Sequence, residues 1–108
     1  MRISRPAKML RIHLSEQDKY SGKPLYEAIV EKCRDMSIAG ATVFRGVEGF
    51  GDSAEIHRHH LFIHDQPILV TVIDSDENIQ RLLPVLEEMI DTGLIAISDV
   101  ESVRITKT

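Results

Sequence analysis

His57, His59, His60 and His64 crowd into eight residues of the chain. Neutral imidazole is a common ligand for zinc, copper and nickel, so metal binding is the first chemistry this run suggests. In an extended segment His57 and His59 share one face while His60 and His64 share the other, and no single strand gathers all four. No carboxylate or thiolate spacing completes a tetrahedral set. A trimeric metal-binding or metal-tolerance protein would have to join such pairs across subunits. The plainer reading is a polar, solvated loop and strand edge.

Immediately ahead lies GATVFRGVEGFG, residues 40–51, which begins like a half-buried strand and ends in Gly46, Gly49 and Gly51. Their GxxGxG order reverses the dinucleotide fingerprint, and no helix follows to point its N-terminus at a pyrophosphate, so a Rossmann site is excluded. The phosphate loop ending in Gly-Lys-Ser or Gly-Lys-Thr is missing as well. What remains is a strand end whose amides are exposed by residues free to take positive φ, a concave group that can hold an anion. The alternative is a hairpin with a glycine bulge. No Cys/His or Ser/His/Asp arrangement is justified by spacing, so no enzymatic activity is assigned.

The elements that must position these residues follow from periodicity. With 108 residues and 43% hydrophobic content, the chain is expected to form one domain over residues 1–108. Seventeen acidic and 13 basic side chains give a formal charge of −4, which argues against a broad nucleic-acid surface. Cys33 is the lone cysteine, so there is no disulfide framework, and a reduced, cytoplasmic setting is expected. The N-terminus carries no signal-peptide core, and no apolar run is long enough to span a bilayer. Alternation over MLRIHL, residues 9–14, predicts a first strand. Pro24 suits a helix start, the stripe Leu25, Ile29, Cys33 and Met36 predicts the helix, and Gly40 is expected to stop it. A second strand is expected over 41–47 and a third over 67–73, the latter apolar on both faces. Asp74 is expected to cap a second helix that carries Ile79, Leu82, Leu86 and Met89, kinked or delayed by Pro84. Val103 and Ile105 mark a last strand after a loose segment, LIAISDVE. This order is the ferredoxin-like βαββαβ sandwich of the α+β class: a four-stranded antiparallel sheet with two helices on one face. The other face must be polar or buried against another chain.

GATVFRGVEGFG resembles the passage from the second strand into the long T-loop of the PII signalling proteins. HLSEQDKYSGKPLYEAIVEKC, EIH, DQPILVTVIDSDENI and LPVLEEMIDTGL are similar, in order, to a PII-like family of small bacterial domains of unknown function. The resemblance implies a trimer with ligand pockets in clefts between subunits, probed by a mobile loop that signals to a protein partner such as a transporter or channel, without direct membrane insertion. In PII proteins those clefts hold adenine nucleotides, which makes one the expected ligand. Carried over by position, the resemblance nominates Thr42, Gly49, Phe50, Gly51 and His57. Arg45 and Arg104 become candidate anion partners, because a guanidinium offers paired donors to phosphate oxygens. Glu16 and Asp18 match the family's post-strand loop, as ligand contacts or as turn residues that tie down backbone. The glycine- and lysine-rich B-loop would fall on DTGLIAISDV, which has one glycine and no basic residue, and GDSAEIHRHH lacks the modifiable tyrosine. A ligand smaller or less phosphorylated than magnesium ATP is therefore expected, without regulation by nucleotidylation.

Overall fold

A computed structural model of the chain describes residues 1–50, 57–58 and 65–107, with 57–58 described in their backbone alone. The chain opens with a long strand, β1 (Arg2–Ser15), followed by two short ones, β2 (Lys19–Tyr20) and β3 (Lys23–Pro24), paired with each other. Helix α1 (Leu25–Asp35) leads to β4 (Ala41–Arg45), then β5 (Glu48–Gly49) pairs with β6 (His57–Arg58). Strand β7 (Pro67–Asp74), helix α2 (Asp76–Met89) and strand β8 (Leu94–Ile105) complete the order. The four longer strands form one antiparallel sheet ordered β4-β7-β1-β8. This is the expected α+β, ferredoxin-like arrangement.

The period of two along each strand decides which face meets the helices. Leu10, Ile12 and Leu14 of β1 and Ile68, Val70 and Val72 of β7 are buried. They meet Ile29 and Cys33 of α1 and Ile79, Leu82 and Leu86 of α2. Each such side chain contributes about 1.5–3 kcal/mol by leaving water, which makes this seam the main source of stability. Burial pushes the Cys33 thiol up to about 11, so it packs as a neutral thiol. The opposite face carries Arg11 and His13 in register with Thr71 and Leu69 of β7. There Leu69 and Thr71 are half-buried while Ile73 is 41% exposed, so within one chain β7 is buried on one face only.

Several boundaries differ from the sequence expectation. LIAISDVE belongs to β8, which pairs with β1 from His13↔Leu94 to Arg2↔Ile105. Beyond Lys8, β1 has no β7 partner, so Pro6 lies where one side of β1 is a sheet edge and a missing N–H is tolerated. The α1 stop is set by Ser37 rather than Gly40. Ser37 adopts φ 60°, its N–H donates to Arg34 O at 3.1 Å, and Ile38 N–H donates to Cys33 O at 2.9 Å. That is a Schellman closure with serine in the left-handed position glycine normally takes. Helix α2 is capped by Ser75, whose Oγ accepts from Asn78 N–H at 3.2 Å, and not by Asp74. It starts without delay and runs through Pro84. Pro84 faces solvent, so the carbonyl one turn back can turn to water.

Candidate ligand-binding site

Two clusters sit at opposite ends of β4. At its start, Asp74 fastens the α1–β4 connection to the end of β7: its Oδ2 accepts from Ala39 N–H at 2.9 Å. Its Oδ1 accepts from Ser75 N–H at 2.7 Å and from Asn78 Nδ2 at 3.0 Å. Partial burial alone would raise this carboxyl, but those bonds, helped by Arg81, hold it below its ordinary value. Beside this anchor, the β1–β8 ribbon extends past the end of β7 and leaves a cavity of about 760 Å³. Its wall includes Thr42, Thr71 and Ile73 on one side and Arg5, Ser102 and Arg104 on the other. Thr42 and Arg104, both nominated from sequence, are thus brought together. Arg5 was missed, because Pro6 hides the strand period that pairs it opposite Ser102.

At the other end of β4 the chain turns toward the loop. Gly46 N–H donates to Pro67 O at 2.7 Å, and a Cβ on Gly46 would meet Pro67 Cγ at 2.7 Å. Among the described residues only Gly22 is a glycine with positive φ. Gly46 is therefore required by close approach to Pro67, not by the positive φ expected from the sequence. Gly49 also faces the Pro67 ring and stands opposite His57 in the β5–β6 pair, so two nominated residues share one register position. Arg45 donates to Glu16 Oε2 at 2.6 Å. Glu16 in turn accepts from Gln66 N–H at 3.3 Å, and Asp18 accepts from Ser15 N–H at 2.9 Å. Both acidic residues tie down backbone, the second of the two roles open to them. Phe50 is 71% exposed. Gly51, His59, His60 and His64 lie outside the described residues, as does the side chain of His57, and among the described residues no group of His, Cys, Asp or Glu is arranged to hold a metal.

Thr42 and Arg45 are three residues apart, about 10 Å along an extended strand, and alternate residues point to opposite faces. The nominated residues that the structure describes thus fall into two groups at the two ends of β4 rather than into one pocket of a single chain.

A two-layer α+β sandwich of this strand order is the fold of the PII-like class, and comparison with known proteins agrees on the fold. The DUF190 family model, described as "Uncharacterized ACR, COG1993", matches residues 7–102. The chain belongs to that family. It is 40% identical over 96 residues to a UPF0166 protein of Aquifex aeolicus (strain VF5), covering 87% of this chain and 90% of the relative. Among solved structures, CPII, a nitrogen regulatory PII-like protein from Thiomonas intermedia K12 bound to ADP, AMP and bicarbonate, superposes with a TM-score of 0.66 at 22% identity, covering 93% of this chain and 91% of CPII. A putative PII-like signaling protein from Thermus thermophilus gives a TM-score of 0.69 at 19% identity, covering 92% of this chain and 91% of the other. At these identities the likeness shows the fold. Among the described residues, no helix is long and apolar enough to cross a membrane.

Proposed function

We propose that this protein is a PII-like, non-enzymatic regulator that works as a trimer. It binds a small ligand, an adenine nucleotide, in clefts between subunits and reports occupancy to a protein partner through the loop from about Gly49 to His64. The carrying observation is the separation of the two groups. Thr42 and Arg104 line a cavity at one end of β4, while Gly49, Phe50 and the loop base lie at the other end. Packing of the uncovered sheet faces between copies would set the start of β4 in one subunit against the loop base of the next, completing a cleft neither chain owns. That CPII was solved with ADP and AMP supports the ligand class. Partial exposure of Ile73 and Phe44 on the uncovered face supports the assembly. The proposal extends only to a protein partner. Occupancy can signal only if the ligand favours one loop arrangement over others.

Calorimetry of the full chain with AMP, ADP and ATP tests the ligand, with mass measurement in solution beside it. Saturable heat from at least one nucleotide and a trimer mass are expected. Silence toward all three at millimolar concentration removes the nucleotide, and a clean monomer removes the shared cleft.

A further inference from the structure

The cavity beside β4 sets Arg104, which the family resemblance nominated, beside Arg5, which it did not. Arg5 and Arg104 both line it, and both lie outside residues 7–102, the segment the family model matches. In the β1–β8 register Arg5 stands opposite Ser102, and Ile3 opposite Arg104. Directly opposed residues of an antiparallel pair project from the same face, so Arg5 and Arg104 are diagonal neighbours, roughly 7 to 8 Å apart at the backbone. Two guanidinium groups on stems of that length can converge on one phosphate group.

Their charges are uncommitted. The side-chain ion pairs among the described residues use Lys8, Lys23, Arg34 and Arg45, and neither Arg5 nor Arg104 is in one. The nearby carboxylates are engaged elsewhere: Asp99 with Lys8, Glu101 with Ser4, and Asp74 with Ala39, Ser75 and Asn78. Thr42, Thr71 and Ser102 add hydroxyl groups to the wall, while Ile3, Ile73 and Val103 give it apolar surface. Arg5 also borders a second depression of about 390 Å³, but Asp99 and Glu101 line that one and make it unsuited to an anion.

We infer that Arg5 and Arg104 form a two-guanidinium receptor for a single phosphate group, with Arg5 a ligand-binding residue that fixes the phosphate end of a mononucleotide. This inference rests on the reading of the cavity as half of the ligand cleft, and it narrows the ligand to a phosphomonoester. Arginine in both places, with its planar fork of N–H donors, favours an oxyanion that presents two oxygens to each guanidinium over a diffuse charge.

The test is calorimetric titration of the full-length protein and of Arg5→Gln, Arg5→Lys and Arg104→Gln with three probes: AMP, adenosine and inorganic phosphate. Both glutamine variants are expected to weaken AMP by about tenfold or more, with the lysine variant between them and wild type, because each removes a charge-assisted hydrogen bond. Adenosine should bind all four proteins alike. AMP and phosphate binding to Arg5→Gln that matches wild type overturns the inference and leaves the nucleotide reading intact. Equal loss of adenosine and AMP in Arg5→Gln also overturns it, since Arg5 would then shape the cavity rather than receive the anion. Phosphate binding that both glutamine variants lose, with no AMP or adenosine binding to any protein, upholds the receptor and removes the nucleotide. Wild type inert to both AMP and phosphate overturns both.

Discussion

The two ends of β4 were built by opposite means. At the loop end the cation is spent: Arg45 is bonded to Glu16, Glu16 also holds Gln66 N–H, and Gly46 presses against Pro67. At the cavity end it is the anion that is spent, because Asp74 is saturated by backbone and amide donors while Arg5 and Arg104 keep no ion-pair partner among the described residues. One end is thereby tied down by an ion pair and a close glycine–proline contact, and the other is a recess lined by two arginines outside any ion pair among the described residues. The difference lies in which charge is left without an ion-pair partner among the described residues at each end of the strand.

The largest expected effect on this contrast comes from Gly46→Ala. The new Cβ would lie 2.7 Å from Pro67 Cγ while Gly46 N–H holds Pro67 O, so the ring must shift or that bond must lengthen. A loss of about 1–3 kcal/mol is expected in chemical denaturation, of the size overpacking produces. An unchanged midpoint would show that the loop base is compliant, and the comparison of tied-down base with open recess would fail.

Asp74→Ala attacks the opposite end. Removing the acceptor of Ala39 N–H, Ser75 N–H and Asn78 Nδ2 should cost about 1–2 kcal/mol. The pH dependence has a definite sign. The native carboxyl lies below its unfolded value, so its contribution is complete above the ordinary carboxylate range near 3.8 and is lost as pH falls through the lower native value. The stability gap between wild type and Asp74→Ala should therefore stay constant from about pH 5 to 8 and narrow in acid below about pH 4. A gap that widens in acid contradicts the anchoring role.

How much of this was readable in the sequence depended on whether a local pattern and a long-range contact agreed. The β1, β7 and α2 cores follow their apolar periods, and the ferredoxin-like order follows from them. The start of β1 and the larger, first part of β8 did not show, because Pro6 interrupts one and the mixed run LIAISDVE blurs the other; only the β1–β8 pairing makes both extended. For the same reason Arg5 was invisible as a cavity residue while Thr42 and Arg104, reached through resemblance, were found. The glycine pair Gly46 and Gly49 was conspicuous in sequence, yet its cause, the ring of Pro67, lies about twenty residues away and leaves no local trace. At Ser37 the sequence pointed to the wrong residue outright, since a left-handed serine carries no signature that a nearby glycine does not outshine.

That serine gives the next, smaller effect. Ser37→Gly should stabilise the protein by about 0.5–1 kcal/mol by removing Cβ strain at φ 60°, offset in part by added freedom of the unfolded chain. Because Ser37 sits between α1 and the Asp74-anchored connection, the gain belongs to the cavity end alone, and the stability loss from Gly46→Ala should be the same in either background. Strong coupling between the two substitutions would mean that β4 transmits strain from one end to the other.

The smallest expected effect carries the most information about the division of labour. In Glu16→Gln the partner of Arg45 loses its charge but keeps an acceptor for Gln66 N–H, and an ion pair whose Arg45 side is open to solvent contributes only about 0–1 kcal/mol. Stability should hardly move. If the pair exists to neutralise the loop base, releasing Arg45 should create a second cationic spot at that end, and inorganic phosphate should begin to perturb the amides near Arg45 and Gly46 in a two-dimensional NMR titration while the response near Ser102 and Arg104 stays as in wild type. A phosphate response near Arg45 already present in the unaltered protein would show that Glu16 does not silence it. The electrostatic distinction between the ends of β4 would then be one of degree, and anion recognition would have to be assigned to both.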